Sequence, residues 1–259
     1  MTLALYHAHH STCSQKVRLV LAEKGLDYDS HLIDLAKKGH LTADYLAINP
    51  NGVVPTLVHD GQSIIDSSVI CEYLDEVFPQ PALSGGNPIV RARVRAWMRF
   101  LEEVPTYAVR VPSFNIAFLP RFEGLTHDDF VEQQAGPRPL RKHFYLKMSE
   151  NGFGVDAIQE SIDQMTLTCK RIQAAMEKGP WLAGDAFSLA DCVALPLIDR
   201  IDDLGMSDIW SEDFPAVTDW LNRAQARHSF AVAFYPGSRL SEGHRLSALY
   251  KNSPSAANA

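Results

Sequence analysis

The stretch NPNGVVPTLVHDGQSIIDSSVICEYLDEVFP, residues 49–79, carries turn, strand and helix signals in a fixed order. Asn49–Gly52 is a turn signal before a β-prone run, and a second turn precedes the short run Ser63–Ile65. Apolar residues then recur at helical spacing through Val69–Phe78, and a hydroxyl N-cap is expected near Ser67. The stretch therefore predicts two adjacent strands followed by a helix.

The preceding part of the chain adds a strand–helix–strand unit. Leu3–Tyr6 is β-prone, and STCSQKVRLVLAEKGL, residues 11–26, has helical spacing with a natural stop at Gly25. A second strand is predicted at Asp29–Asp34, and such a unit favours parallel pairing. The predicted order up to Phe78 is β-α-β-β-β-α.

Prolines and glycines cluster between residues 79 and 88, and strand signals end there. We predict an N-terminal α/β domain over 1–80, a linker over 81–87 and an all-helical domain over 88–240. The helices expected there are Ile89–Phe118, Asp156–Lys178, Ser188–Leu204 and Phe214–Arg227. Within this domain, residues 120–153 are rich in charge and proline and predict a short helix plus loops. The tail is 241–259, and disorder is expected from Ser253.

Composition narrows the function classes. Of 259 residues, 46% are hydrophobic and 21% charged, and the net charge of −7 argues against nucleic-acid binding. The four cysteines form no CxxC pair, which fits a reducing compartment. Neither a secretory signal nor a membrane span is visible, so a cytoplasmic location is expected. The histidines at 7, 9 and 10 have no recognised metal spacing, and no metal site is predicted.

The motifs, taken in this order, resemble the cytosolic glutathione transferases. The resemblance implies a thioredoxin-like N-terminal domain, an all-α C-terminal domain, glutathione as cosubstrate and a homodimer. STCSQKVR is similar to the SSCSxxVR stretch of the zeta class, the maleylacetoacetate isomerases. HDDFVEQQAGPRPLRKHFYLKMSENGF, residues 127–153, resembles the corresponding segment of bacterial β-aryl etherases, which cleave ether bonds in lignin-derived aromatics.

Residue by residue, the resemblance assigns a glutathione site. It places Pro55 in cis, so that the backbone of Val54 meets the cysteinyl unit like an added strand edge. Ser67, at a helix N-terminus, would bind the γ-glutamyl carboxylate, and Asp66 its ammonium group. His40 matches a position near the glycyl end of glutathione.

The resemblance also points to the group that stabilises the glutathione thiolate. A free thiol has a pKa of about 8.5, and a helix N-terminus or hydroxyl donor favours its anion. Ser11 is the first choice, with Thr12 and Ser14 as alternatives. Cys13 could instead form a mixed disulfide, as cysteine-containing relatives do.

The second substrate is expected between the domains. Its predicted pocket residues are His9, His10, Tyr107, Arg110 and Phe114, and Phe234 and Tyr235 are candidates to close it. The leading hypothesis is displacement by glutathione that cleaves a β-aryl ether. The alternatives are isomerisation of a maleylacetoacetate-like acid, and a glutathione transferase-like binding protein without catalysis.

Overall fold

The computed structural model describes residues 2–138 and 140–242. Its N-terminal part contains one four-stranded sheet in the order β2-β1-β3-β4. β1 pairs in parallel with β2 and antiparallel with β3, and β3 pairs antiparallel with β4. The parallel strand–helix–strand unit and the two adjacent later strands are as predicted. The strands are β1 Leu3–His7, β2 Asp29–Leu32, β3 Thr56–His59 and β4 Gln62–Ile65.

Three α-helices accompany the sheet: α1 Thr12–Glu23, α2 Ala43–Ile48 and α3 Ser67–Val77. The fully buried side chains of Leu5 and Leu57 on the sheet belong to one core with those of α1 and α3. The predicted order lacked α2. This helix has six residues and is capped by Thr42, whose hydroxyl accepts a hydrogen bond from the Tyr45 N–H.

The C-terminal part is helical throughout its described regular elements. The helical region expected over Ile89–Phe118 is present, but it is divided: the first helix ends at Glu103, and short helical segments follow up to Phe118. Pro105 and Pro112 lie beyond Glu103, and proline removes a helical hydrogen-bond donor and crowds the preceding turn. The helices are α4 Pro88–Glu103, α5 Pro105–Ala108, α6 Arg110–Ser113, α7 His127–Phe130, α8 Lys142–Met148, α9 Val155–Met176, α10 Leu189–Asp203, α11 Asp208–Ser211, α12 Pro215–Gln225 and α13 His228–Ala233.

Residues 120–153, called the inserted segment below, fold into more regular structure than predicted. Besides α7 and α8, the segment contains a π-helical turn at Val131–Ala135. It forms most of a second hydrophobic cluster that is separate from the main core. The buried members of this cluster are Val111, Phe122, Phe130, Phe144, Met148 and Phe153.

An ion pair between a buried lysine and a partly exposed glutamate joins the sheet part to the helical part. Lys16 Nζ on α1 lies 2.5 Å from Glu102 Oε1 on α4, and donates to Thr106 Oγ1 at 3.0 Å. Ser68 at the start of α3 donates to the same carboxylate at 2.6 Å. Burial would raise the pKa of Glu102, but the charge of Lys16 and these hydrogen bonds hold it below its ordinary value.

The residue limits of the domains stay a prediction. The tail expected to be disordered from Ser253 lies outside the described residues. Among residues 2–138 and 140–242, no helix is both long enough and apolar enough to cross a membrane.

Candidate functional site

One edge of the sheet gathers four chain segments. His7 at the end of β1 pairs with Leu32 at the end of β2, and Tyr6 pairs with Thr56 at the start of β3. Thr56 in turn pairs with Ile65 at the end of β4. The segments that adjoin these strand ends carry the predicted glutathione residues, namely Ser11, Thr12, Cys13, Ser14, His40, Val54, Pro55, Asp66 and Ser67.

Ser11 is the N-cap of α1, and its Oγ accepts a hydrogen bond from Ser14 N–H at 3.2 Å. Its hydroxyl proton remains free to be donated, and the side chain is partly exposed. Ser14 differs, because it is fully buried and its Oγ accepts from Ala8 N–H at 3.2 Å. Of these two serines, Ser11 is better placed to meet a thiolate.

Thr12 and Cys13 occupy the first two positions of α1 and are partly exposed. Backbone N–H groups of a first helical turn favour a nearby anion. The remaining cysteines are buried. Burial raises the pKa of Cys71 and Cys192, and raises that of Cys169 to about 12, so these thiols stay protonated and unreactive.

The Val54–Pro55 peptide bond is cis, as the resemblance implied. The N–H and C=O of Val54 make no hydrogen bond within the described chain. The preceding carbonyl, of Val53, is held by Tyr45 Oη at 2.7 Å and Asn49 Nδ2 at 2.9 Å. The hydrogen bonds to the Val53 carbonyl fix the backbone at this point. The free N–H and C=O of Val54 can then pair with an extended peptide such as glutathione.

The N-cap of α3 is Asp66 rather than the expected hydroxyl of Ser67. Asp66 Oδ1 accepts from the N–H groups of Ser68 and Val69, at 3.0 and 3.2 Å. Its φ of 72° is unusual for a residue with a side chain and rotates the chain into the helix. The Ser67 hydroxyl makes no hydrogen bond to another described residue, which leaves it available to a carboxylate.

His40 lies in a 3₁₀ turn at Gly39–Leu41 and is 7% exposed. Its Nδ1 is buried and has no partner in the described chain. Burial, with a smaller contribution from the charge of Arg138, lowers the pKa of His40 to about 4. The imidazole is therefore neutral at pH 7.

Two buried arginines hold the loop between β1 and α1. Arg18 donates to the carbonyls of Ala8 and His9, both at 3.1 Å, and Arg200 donates to that of His10 at 2.6 Å. Arg18 Nε also donates to the carbonyl of Ala233 at 2.8 Å, which ties the loop to the C-terminal region. The position of this loop therefore depends on residues far along the chain.

The expected pocket histidines differ in their surroundings. His9 is exposed, and its Nδ1 lies 2.8 Å from Tyr235 Oη, so the candidate closing residue Tyr235 does meet the loop. His10 is partly buried. Phe234 does not reach the loop as a closing residue would, because it is buried in the main core and stacks on Phe230 with ring centroids 4.3 Å apart.

On the helical side, Tyr107 and Phe114 contact the inserted segment. The ring centroids of both lie near that of Phe144, at 6.1 and 4.9 Å. Arg110 lies between them in sequence, and Arg141 precedes Phe144 by one helical turn. We call Tyr107, Arg110, Phe114 and Arg141 the helical wall.

The guanidinium groups of Arg110 and Arg141 make no hydrogen bond or ion pair with another described residue. Burial and then the charge of Arg110 lower the pKa of Arg141, whereas Cys13 and Glu102 act in the opposite direction. The guanidinium group of Arg141 therefore lies within electrostatic reach of Cys13 at the α1 N-terminus, and that of Arg110 lies within reach of Arg141 and Glu102. The sequence predicts Arg110 as a pocket residue but gives no indication of Arg141, because Arg141 comes close to Arg110 only when the inserted segment folds.

The described residues contain no group of three or more His, Cys, Asp or Glu side chains arranged to hold a metal. What the sheet edge offers instead are free backbone groups, a free hydroxyl and an unpartnered imidazole nitrogen. These groups fit a small extended peptide with two carboxylates.

Comparison with known proteins agrees with this geometry. Residues 10–77 match the family model of the glutathione S-transferase N-terminal domain, and residues 140–228 match that of the C-terminal domain. Glutathione S-transferase 1 of Dianthus caryophyllus is 44% identical over 202 residues, covering 76% of each chain. The chain belongs to the glutathione S-transferase family. Glutathione is accordingly its cosubstrate, and the thioredoxin-like and helical parts are those of this family.

Other relatives show how this glutathione S-transferase compares within the family. Protein LigF of Sphingobium sp. is 27% identical over 245 residues, covering 92% of this chain and 95% of LigF. The crystal structure of β-etherase LigF matches with a TM-score of 0.80, over 90% of this chain and 99% of that one. A maleylacetoacetate isomerase of Pseudomonas aeruginosa is 48% identical, but only over 96 residues, or 36% of this chain.

Proposed function

We propose that this glutathione S-transferase cleaves β-aryl ethers by glutathione displacement. The observation that carries the proposal is the aromatic cluster of the inserted segment, on which Tyr107 and Phe114 pack beside the site. An aromatic surface suits an aryl ether. The similarity to β-etherase LigF supports the proposal because it spans nearly the whole chain.

In the proposed reaction, the sheet edge orients glutathione through Val54, Asp66 and Ser67. Ser11 donates its hydroxyl proton as a hydrogen bond to the thiolate, and Thr12 is the alternative donor. The thiolate attacks the carbon that bears the aryloxy group, so that a C–S bond forms as the C–O bond breaks. The bonding electron pair leaves with the aryloxide, which takes a proton from water. Orientation and activation of the thiolate supply the rate gain.

The test is incubation with glutathione and a β-aryl ether dimer whose leaving group is guaiacol. Glutathione-dependent guaiacol release, with a glutathione adduct of the other half in equal amount, is the expected result. Omitting glutathione and replacing it with S-methylglutathione are the two controls. Release that persists in either control would contradict displacement by the thiolate.

A second candidate is isomerisation of a maleylacetoacetate-like acid. The guanidinium groups of Arg110 and Arg141 have no ion-pair partner among the described residues. They favour this second candidate, because two free arginines suit the carboxylates of a substrate. The partial similarity to a maleylacetoacetate isomerase lends further support. Maleylacetone, run in parallel, separates the candidates: isomerisation without guaiacol release would replace the first proposal. If neither substrate reacts while glutathione still binds, both specific activities are refuted and the family assignment stands. Failure to bind glutathione at millimolar concentration would favour a non-catalytic binding role.

The homodimer and the cytoplasmic location belong to the same proposal. On one exposed face, Arg95 and Arg99 of α4 pair with Glu72 of α3, the closest contact being 3.3 Å. This charged face is our candidate dimer surface. Light scattering of the purified protein should give twice the chain mass of 28.8 kDa, and a monomer would refute the assignment.

A further inference from the structure

The loop between β1 and α1 turns sharply just before Ser11. The Ser11 N–H donates to the Ala8 carbonyl at 3.4 Å, so His9 and His10 are the two central residues of this turn. Consecutive Cα atoms lie about 3.8 Å apart, which places the Cα of His9 within about 7.6 Å of that of Ser11. The backbone of His9 is therefore close to the hydroxyl assigned to the glutathione thiolate.

The buried guanidinium of Arg18 fixes His9 and its partner Tyr235 together. Its Nη2 donates to the His9 carbonyl at 3.1 Å, and its central carbon lies 5.0 Å from the centroid of the Tyr235 ring. Tyr235 follows α13, so its contact with the loop joins the helical part to the sheet part. His9 thus lies where the two parts meet, and the second substrate is expected there.

The hydrogen bond with Tyr235 sets which nitrogen of His9 carries the proton. Tyr235 Oη lies 2.8 Å from His9 Nδ1, and the two rings meet edge to face at 76°. Burial raises the pKa of Tyr235 by more than the charge of Arg18 lowers it, so the hydroxyl keeps its proton at pH 7 and donates it to Nδ1. This pairing assigns the proton of neutral His9 to Nε2.

The Nε2–H of His9 is available to a substrate. The side chain is exposed, and Nε2 makes no hydrogen bond to another described residue. The tyrosine behind the ring and the arginine behind the loop hold this donor in one orientation. An oriented donor in an open site stabilises negative charge that develops during a reaction, because little reorganisation is needed.

We infer that His9 donates a hydrogen bond from Nε2 to the departing aryloxide oxygen, and that Tyr235 is the positioning residue of this donor. In the displacement, the sulfur gives its negative charge to the leaving oxygen as the C–S bond forms and the C–O bond breaks. Sulfur and oxygen lie on opposite sides of the attacked carbon, so the thiolate and the leaving group need separate donors. The free aryloxide then takes its proton from water, and His9 is unchanged. The inference rests on the proposed cleavage of β-aryl ethers.

The test compares two β-aryl ether dimers that differ only in the leaving group, guaiacol or 4-nitrophenol, each with glutathione. The nitrophenolate spreads its charge over the ring and needs less help from a donor. His9→Phe keeps a ring beside Tyr235 but removes the donor. It should lower kcat for the guaiacol ether about 100-fold and for the nitrophenyl ether less than about tenfold. Both KM values should change little, because the hydrogen bond strengthens only as the C–O bond breaks.

Two further variants separate positioning from bracing. Tyr235→Phe keeps the ring on Arg18 and removes only the hydroxyl, and should lower kcat for the guaiacol ether about tenfold. The same exchange in the His9→Phe background should have no further effect, because Tyr235 acts through His9. His9→Gln, which keeps an N–H donor, should restore part of the rate.

The matched control is His228→Phe, the same exchange at an exposed position at the start of α13, which should leave both rates unchanged. Calorimetry with S-methylglutathione should give the same affinity for all variants. Equal losses with both ethers, or weaker glutathione binding, in His9→Phe would make His9 a brace of the loop and overturn the inference. Should His9→Phe fail to fold, Tyr235→Phe decides through the same comparison of leaving groups.

Failure of the inference and failure of the proposed function give different results. A wild-type protein that releases neither phenol refutes ether cleavage and this role of His9 with it. A wild-type protein that releases both phenols, with variants that respond equally to the two leaving groups, keeps ether cleavage and loses only the role of His9.

Discussion

The two sides of the site recognise their ligands by different means. On the sheet side, the available groups are backbone atoms and hydroxyls at strand and helix ends, such as Val54 and Ser67. On the helical wall, they are aromatic rings and the ends of two long arginine side chains, carried by short helices. The sheet side is fixed by hydrogen bonds close to the peptide chain, whereas the helical wall depends on packing of the inserted segment.

This difference indicates a division of labour. Glutathione is the same in every reaction of the family, and atoms whose positions the backbone sets suit a constant ligand. A variable second substrate suits a surface made of side chains, since these can change without moving the sheet. Substitutions on the sheet side should therefore alter glutathione affinity or stability, and those on the helical wall should alter substrate choice.

We expect the largest loss of stability from a substitution in the ion pair that joins the sheet part to the helical part. Lys16→Met would leave the partly exposed Glu102 carboxylate without its cation, and should lower the free energy of unfolding by about 2 kcal/mol. The double variant Lys16→Met/Glu102→Met removes both charges and should recover much of the loss. Urea denaturation measures both variants. Equal losses in the single and double variants would show that the loss does not come from an unpaired Glu102 carboxylate.

Acid should weaken the sheet side next. Burial, followed by the charge of Arg18, lowers the pKa of His7 from 6.5 to about 4 in the folded protein. The unfolded chain thus binds more protons below pH 6.5, and stability is lost as the pH falls from there toward 4. We expect a loss of about 1–2 kcal/mol from His7 between pH 7 and 5.

His7→Gln should flatten this decline, and His143→Gln, at an exposed position, should not. Unfolding free energies of the three proteins at pH 7 and 5 provide the measurement. A decline that is the same in all three would mean that His7 does not titrate with folding.

A neighbouring pair of serines offers a sharper comparison within the sheet side. Ser67→Ala should weaken glutathione binding about tenfold, because its free hydroxyl is assigned to the γ-glutamyl carboxylate. Ser68→Ala removes a hydrogen bond to Glu102 instead, and should lower the melting temperature while leaving glutathione affinity unchanged. Calorimetry measures the glutathione affinity of both variants, and thermal melts measure their stability. If Ser68→Ala weakened binding and Ser67→Ala lowered the melting temperature, the two assignments would be exchanged.

The thiolate can be tested in the same way. Ser11→Ala should raise the pKa of bound glutathione by about one unit, as read from thiolate absorbance against pH. Ser14→Ala should chiefly reduce stability, since Ser14 is fully buried. Thr12→Ala is the alternative if Ser11→Ala leaves the pKa unchanged. Loss of all turnover in Cys13→Ala, with glutathione still bound, would instead support a cysteine nucleophile.

We expect the smallest effect from a substitution on the helical wall, where only the KM for the second substrate should change. Tyr107→Ala should raise the KM for an aryl ether severalfold, because it removes one face of the aromatic surface. The KM for glutathione should stay unchanged, since Tyr107 takes no part in the sheet edge. Steady-state kinetics with each substrate varied provide the measurement. Parallel increases in both KM values would refute the division between the two sides.

How far the sequence predicts this molecule follows the same division. The parallel strand–helix–strand unit and the two adjacent later strands follow from turns, caps and spacing, which are local features of the sequence. The glutathione residues were assigned instead from the family resemblance of the same stretches. Pro105 and Pro112 indicate the break after Glu103, but the apolar periodicity of the same stretch predicts a continuous helix across it. No local pattern in the sequence identifies Arg138 as buried or Arg141 as partly buried, because an arginine near prolines is typical of a solvated loop. Their burial depends on how the inserted segment packs.

Arg18 and its partner Ala233 have a consequence for how the protein is made. During translation the sheet and α1 emerge first, yet the carbonyl that receives the Arg18 Nε–H is 215 residues further along. Contacts of such long range carry a cost in loop-closure entropy and therefore form slowly. The loop between β1 and α1 therefore gains this tie only after residue 233 has been synthesised, and a shorter nascent chain cannot hold Arg18 through Ala233.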